Sequence, residues 1–175
     1  MEIRETQLDD ALQWVRLKNT VWRSAYKDIM PSEVFEEQQS QEQDKVNNFI
    51  KNFDGPNVTI GYVAIDNGKL VALADATIIS YYEYYKQKGY ADLGALYILP
   101  EYQHMGLGKQ LFDKVVAKFK SYGCEKMVIG VLKDNIQARR AYEKWGGVLD
   151  DHEETFEKLG VGYSEVFYIF DLKLI

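Results

Sequence analysis

Apolar and polar residues change period several times along the chain, and each change marks a predicted element. Ile3 alternates with Glu2 and Arg4, which predicts a strand at about 2–7, and the Asp9-Asp10 pair behind it suits a helix start. Leu12, Val15, Leu17, Val21, Trp22 and Ala25 recur at helical spacing and predict a helix over 11–26. Pro31-Ser32-Glu33 restarts the pattern, and Val34, Phe35, Val46, Phe49 and Ile50 predict a second amphipathic helix, with the glutamine- and glutamate-rich stretch 36–44 as its solvated face or a mobile loop. Asp54-Gly55-Pro56-Asn57 reads as a turn. Strand-like runs over 58–65 and 70–80 follow, joined by Asp66-Asn67-Gly68-Lys69, whose Asn-Gly pair favours a tight antiparallel hairpin. Residues 81–90 are tyrosine-rich, and Ala91–Leu99 is a third strand that stops at Pro100. Leu111, Phe112, Val115, Val116 and Phe119, with lysines opposite, predict a helix over 107–122 that Gly123 ends. Met127–Leu132 is a short apolar run, 134–144 a helix closed by Trp145-Gly146-Gly147, and 166–172 a last strand, preceded by another if 148–150 begins one.

That order gives an α+β fold with a mixed sheet, and with no linker and no repeat it predicts one domain over 1–175. The length of 175 residues, with 46% hydrophobic and 27% charged content, supports a sizeable core and excludes a disordered or fibrous chain. Twenty-one basic against 27 acidic residues leave a formal charge of -6, which argues against nucleic acid or an anionic membrane as partner and accommodates a cationic one. No run approaches the ~18–20 apolar residues that cross a bilayer, and MEIRETQLDD lacks a signal peptide's apolar stretch, so a soluble, cytoplasmic protein is expected. One cysteine, Cys124, and two histidines, His104 and His152, give no clustered ligands, so no metal is expected. Fourteen per cent aromatic content, including 13 tyrosines, suits either core packing or a cleft lined with amphipathic rings.

The segment Leu96 to Lys109 runs from a strand through a glycine-bearing loop into a helix. Gly106 and Gly108 let the backbone approach a ligand, and the first N–H groups of the helix lack intrahelical partners, so the junction can cradle an anion such as a pyrophosphate or simply make a tight turn. The dinucleotide and P-loop motifs both fail here, since Leu111 stands where a third glycine belongs and Gln110 follows Lys109. Further on, Asp134 and Gln137 have capping-box spacing, which makes Asp134 the expected N-cap with Asn135 in the first turn. Ala138 and Tyr142 share a helix face.

Gln103-x-x-Gly106-x-Gly108 after a strand ending Leu-Pro, followed by Asn135-x-x-Ala138-x-x-x-Tyr142-Glu143-Lys144-x-Gly146, resembles the acetyl-coenzyme A core of the GCN5-related N-acetyltransferases (GNAT) over about Asp92–Gly147. The departure is Gly147, where the family usually has an aromatic residue. The resemblance implies a layered α/β/α fold with a mixed, mostly antiparallel central sheet, the acyl-CoA N-acyltransferase fold. It implies acetyl-CoA as co-substrate: backbone groups of Tyr97 and Ile98 on the pantetheine arm, amides of Gln103, His104, Met105, Gly106, Leu107, Gly108 and Lys109 on the pyrophosphate, and Asn135, Ala138 and Tyr142 beside the arm. Lys109 and Lys144 either meet phosphate oxygens or are solvated. Tyr142 is implied as general acid toward the departing thiolate; its alternative is a core ring with a hydrogen-bonded hydroxyl.

A primary amine of pKa about 10.4 is neutral in only about one molecule in 2,500 at pH 7, so something must take its proton. Asp92 and Glu83 are candidates for that base, although Asp92 also reads as a plain strand-end carboxylate. The acceptor side is expected from Trp22, Tyr26, the acidic stretch 33–44 and a loop over 150–163. The resemblance implies an acetyl-CoA-dependent N-acetyltransferase that acts by direct sequential transfer, and the acidic and aromatic residues favour a small cationic amine such as a polyamine as its acceptor. The alternatives are a protein or peptide N-acetyltransferase, a non-catalytic acyl-CoA sensor and a nucleotide-binding domain. Cys124 gives no reason to expect a covalent intermediate, and apolar faces at the chain ends could form a homodimer.

Overall fold

The computed structural model describes residues 1–53 and 59–175; the turn expected at 54–57 and the strand start expected at Val58 lie outside them. The elements are β1 (Glu2–Glu5), α1 (Ala11–Tyr26), α2 (Ser32–Ser40), α3 (Glu42–Asn52), β2 (Thr59–Asp66), β3 (Lys69–Thr77), α4 (Glu83–Lys86), β4 (Ala91–Ile98), α5 (Leu107–Ser121), β5 (Lys126–Leu132), α6 (Ile136–Lys144), β6 (Val148–Lys158) and β7 (Val161–Asp171). Short 3₁₀ turns occupy Leu8–Asp10 and Pro100–Tyr102. Seven strands form a mixed, mostly antiparallel sheet with flanking helices, the α+β class expected. Among the described residues no helix is long and apolar enough to cross a membrane.

Among the described residues three helices, not two, separate β1 from β2. The Ser40 hydroxyl donates to the Glu37 carbonyl (2.8 Å) and Gln41 leaves helical geometry (ψ 9°), so local side-chain bonding divides the predicted second helix into α2 and α3. The 36–44 stretch is therefore mostly helix. β3 ends at Thr77 rather than at 80, because the Thr77 hydroxyl turns to the Ile79 carbonyl (2.6 Å) and the Ser80 N–H goes to Tyr90. The larger correction concerns the loop expected over 150–163, which is most of a long hairpin. Leu159 and Gly160, both at positive φ (49° and 75°), make its two-residue turn, as Asn67 and Gly68 (48° and 78°) do between β2 and β3. β6 ends the strand order, and its run of acidic residues is what an unpaired edge carries.

The chain divides into two compact units, Met1–Asp75 with Ala95–Val115, and Ala76–Gly94 with Val116–Ile175. In the first the strand order is β1-β2-β3-β4, with β1 antiparallel to β2 from Glu2↔Ile65 to Glu5↔Tyr62. Val63, Ala64 and Val71 to Ala74 are fully buried. The stripe Ala11 and Val15 of α1 meets Val46 of α3, with Trp14 and Phe49 packed against it. Asp10 locks β1 to the start of α1: Arg4 donates to both carboxylate oxygens (2.7 and 2.8 Å) and the Gln7 N–H adds a third bond (2.7 Å).

In the second unit the order is β4-β5-β7-β6. β4 and β5 are parallel, with a ladder of two pairs, Ala91↔Met127 and Asp92↔Val128, although β4 continues to Ile98. β5 pairs antiparallel with β7 from Lys126↔Asp171 to Leu132↔Glu165. β7 pairs with β6 across a register shift between Leu149 and Glu153. Gly147 lies where a Cβ would come within 2.6 Å of the Phe170 ring, so Phe170 occupies the space that an aromatic residue at 147 would need.

Burial alone raises the Asp10 carboxyl, but the Arg4 and Gln7 hydrogen bonds outweigh it and hold it below its ordinary 3.8. Its stabilisation is therefore complete above about pH 4 and fades as pH falls below that value. Asp10→Ala is expected to cost about 2–4 kcal/mol at pH 7, and urea titrations should show this difference shrinking at pH 3.

Candidate active site

In the first unit, β4 delivers Tyr97 and Ile98 to the strand end. Trp22 of α1 donates its indole N–H to the Tyr97 hydroxyl (2.9 Å) and meets Tyr26 edge-on at 4.9 Å, so one expected cofactor residue and both expected acceptor residues form one aromatic group. Pro100 stops the strand, and the Gln103 side chain folds back to donate to the Ile98 carbonyl (3.1 Å). His104 (φ 60°) and Gly106 (φ 80°) both take left-handed backbone before α5 begins at Leu107. Such reversals turn successive N–H groups toward one point, and the first turn of α5 adds its own unpaired donors. This loop therefore fits a pyrophosphate. A Cβ on Gly106 would touch only Gln110 at 3.9 Å, so the left-handed φ, rather than crowding, is what asks for glycine there. His104 and Met105 are exposed and Leu107 is buried. Lys109 is exposed and ion-paired with Asp113 one turn on.

In the second unit, α6 carries the other motif residues. The helix begins at Ile136, and Asn135, not Asp134, is its N-cap: the Asn135 side-chain oxygen accepts the Ala138 N–H at 3.2 Å. The capping-box spacing misplaced the start by one residue, because Asn caps as well as Asp. Tyr142 is buried, 8% exposed, on the face it shares with half-buried Ala138. Its ring lies 5.9 Å from both Trp145 and Tyr168. The Tyr168 hydroxyl donates to Glu143 (2.6 Å) and accepts from Arg139 (3.2 Å), a brace on α6 that its spacing did not reveal. Lys144 is exposed in the last turn.

The two candidate bases differ sharply. Glu83 lies on the exposed side of α4, within reach of Lys86 (3.6 Å) and bonded to Gln87 (3.2 Å). Asp92 has 0% exposure. Its Oδ2 accepts from the Ser80 hydroxyl (2.7 Å) and the Tyr81 N–H (3.2 Å), while its Oδ1 is buried without a partner. Burial pushes this carboxyl up to about 6 against the two hydrogen bonds. Other hydroxyl and carboxyl groups of this unit are paired: Tyr82 and Glu165 are ones the sequence did not single out, while Asp150 and Glu154 belong to the 150–163 stretch expected at the acceptor side. The Tyr82 hydroxyl donates to Glu165 (2.8 Å) and that of Tyr85 to Asp150 (2.8 Å). His152 stacks on Tyr84 at 3.9 Å and bonds Glu154 (3.0 Å). The tyrosine-rich stretch and the acidic terminal strands were both visible in the sequence, but their pairing joins residues as far apart as 82 and 165.

Comparison with known proteins adds the lineage. The sequence matches the acetyltransferase (GNAT) family over residues 14–147. No protein of curated function matches it significantly. Among solved structures it resembles the PaiA N-acetyltransferase of Thermoplasma acidophilum in complex with coenzyme A, at TM-score 0.73 and 22% identity over 94% of this chain and 96% of that one. It also resembles YncA of Salmonella typhimurium with its cofactor acetyl-CoA, at 0.70 and 17% over 98% and 94%. An N-acetyltransferase from Staphylococcus aureus Mu50 matches at 0.73 and 16% over 98% of each chain. At these identities the likeness shows a shared fold.

Asp92 has the opposite linkage to Asp10. Its folded-state pKa of about 6 exceeds the ordinary 3.8, so ionising it weakens the fold progressively from pH 4 to 7. Asp92→Asn keeps an oxygen for Ser80 and Tyr81 and removes the titration. Its stability relative to wild type is expected to rise by about 3 kcal/mol between pH 4 and pH 7.5 in denaturant titrations, then level off.

Proposed function

Because the chain belongs to the acetyltransferase (GNAT) family, we propose that it transfers the acetyl group of acetyl-CoA to the primary amine of a small cationic molecule, such as a polyamine, without a covalent enzyme intermediate. The observation that carries the cofactor half of this reading is the loop at His104 and Gly106 opening onto α5, a backbone cradle for a pyrophosphate.

Acetyl-CoA, when bound, supplies an acetyl group activated as a thioester. The amides of His104 to Lys109 hold the pyrophosphate, the Gln103 N–H being taken by the Pro100 carbonyl (3.2 Å). Backbone groups of Tyr97 and Ile98 pair with the pantetheine arm as an added strand would. Asn135, spent as a helix cap, contributes by fixing where α6 starts, and Ala138 leaves room beside the Tyr142 ring. An N–H such as that of Ile98 stabilises negative charge developing on the acetyl oxygen.

Proton traffic falls to two side chains. Asp92 accepts a proton from the incoming ammonium, because a carboxyl near 6 is mostly ionised at pH 7 yet more basic than an ordinary aspartate. Glu83, exposed and engaged with its own helix, is the weaker candidate. Tyr142 gives a proton to the departing thiolate and regains one from the nitrogen as the N–C bond forms and the C–S bond breaks. The ammonium thus loses two protons, one to Asp92 and then to solvent, the other to the thiol. Trp22 and Tyr26 offer aromatic surface of the kind that suits a cation.

The test is thiol release from acetyl-CoA with a panel of polyamines, aminoglycosides, amino acids and short peptides, beside calorimetric binding of acetyl-CoA. Tyr142→Phe is expected to lower kcat about 10²-fold or more while leaving acetyl-CoA affinity within about twofold. Equal loss of both would remove the acid assignment. Tight cofactor binding with no release from any amine would favour a sensor.

A further inference from the structure

One sheet face of the second unit carries charge where an apolar layer is expected. Asp92 stands beside Val128 in the β4–β5 ladder, and Gly130 lies two residues along β5 on the same face. Gly130 is opposite Phe167 of β7, Leu132 is opposite Glu165, and Glu165 is opposite Glu154 of β6. Asp92, Glu165 and Glu154 therefore share this face with the bare backbone of Gly130. Tyr82 fills the gap: a Cβ on Gly130 would collide with the Tyr82 hydroxyl and come within 2.8 Å of the Glu165 Oε1 that this hydroxyl holds. The Tyr82 ring is fixed edge-on to Phe167 at 4.7 Å, and its N–H is bound by the Ser80 hydroxyl that also donates to Asp92.

The charges on this face are unbalanced. Among the described residues no lysine or arginine pairs with Asp92 or Glu165; Glu165 has Tyr82, Asp92 has Ser80 and the Tyr81 N–H, and Glu154 has His152. Burial, then the charges of Glu154 and Asp92, raise the Glu165 carboxyl despite the Tyr82 bond. Asp92 Oδ1 is a buried acceptor with nothing to accept from. Asp92, fully buried, and Glu165, half-buried, carry without a cation a standing cost that an incoming cation offsets. Arg4 plays that part for Asp10, and among the described residues none does so for Asp92 or Glu165.

We propose that this face seats the ammonium group of the acceptor, with Glu165 as its counter-ion, the unpartnered Asp92 Oδ1 as its second acceptor, and Tyr82 as the residue that positions Glu165. Glu165 is the half-buried member of the set, and fully buried Asp92 is the group that takes the proton. With Glu154 adding a third negative charge, the ligand class is a short alkylamine bearing more than one positive charge. The assignment rests on the acetyl-transfer reading for its chemistry, but the ammonium seat can be measured without turnover.

The experiment titrates spermidine, and n-butylamine as a singly charged comparison, into the full-length protein by calorimetry, and follows thiol release with both amines. Wild type is expected to bind spermidine at least tenfold more tightly than n-butylamine. Glu165→Gln, which preserves an acceptor for Tyr82, is expected to weaken spermidine binding and raise its KM about tenfold or more, with acetyl-CoA affinity unchanged and the preference over n-butylamine narrowed. Tyr82→Phe should move the same quantities in the same direction by a smaller factor, about threefold, as Glu165 loses its hold. Equal spermidine affinity in wild type and Glu165→Gln, no binding of spermidine to wild type, or equal affinity for the two amines would overturn the assignment. Absence of thiol release with every amine, alongside charge-dependent binding lost in Glu165→Gln, would remove the acetyl-transfer reading and leave the seat intact.

Discussion

The buried carboxylate of Asp92 organises the second unit. A group that prefers water has been placed at zero exposure, and the chain from 77 to 92 is folded to supply it with donors. Ser80 and the Tyr81 N–H serve Oδ2, the Ser80 N–H closes the segment onto Tyr90, and Tyr82 follows from the Ser80 hydroxyl into the turn that starts α4. The fully buried Tyr85 ring then packs with Val128 and Phe167 on the same sheet face. Burial and neighbouring carboxylates push the phenols of Tyr82 and Tyr85 upward, so both remain hydrogen-bond donors at any physiological pH. The tyrosine-rich stretch is thus a cover of hydroxyls and rings that holds carboxylates in place without neutralising them.

Asp10 and Asp92 show how one residue type serves two ends. Both are nearly inaccessible. Asp10 is matched inside the chain by a two-pronged guanidinium, which converts burial into a joint between β1 and α1. Asp92 receives only neutral donors and keeps one oxygen vacant of partners. The first arrangement is what stability asks of a buried charge. The second is a cost that packing does not explain, and such departures from local consistency gather where chemistry is done.

Most of the fold was legible because period and punctuation agree over long segments: α1 and α5 carry clean apolar stripes, and Asn67-Gly68 makes the hairpin turn its spelling indicates. The loop from Pro100 into α5 was legible as a tight strand-to-helix turn because glycine and a strand-stopping proline act locally. Errors arose where neighbours in space decide. The hydroxyl of Ser40 split one helix into two, and the choice between Asp134 and Asn135 as cap turned on which side chain reached the Ala138 N–H. β6 looked like a loop because an edge strand need not alternate apolar residues when charge protects it. Glu165 was invisible in the sequence, since its meaning comes from Tyr82, 83 positions earlier, and from the side chain that Gly130 lacks.

Gly147 and Phe170 have a consequence for how this chain can vary. The ring reaching the space beside Gly147 comes from Phe170 of β7. Enlarging residue 147 alone would place two rings in one volume, and trimming Phe170 alone would leave a hollow beside Tyr142 O and the end of α6. Neither single step is neutral, so the two positions can exchange the ring only together. The two positions are therefore coupled through packing: what residue 147 can carry is set by the ring that β7 sends toward it.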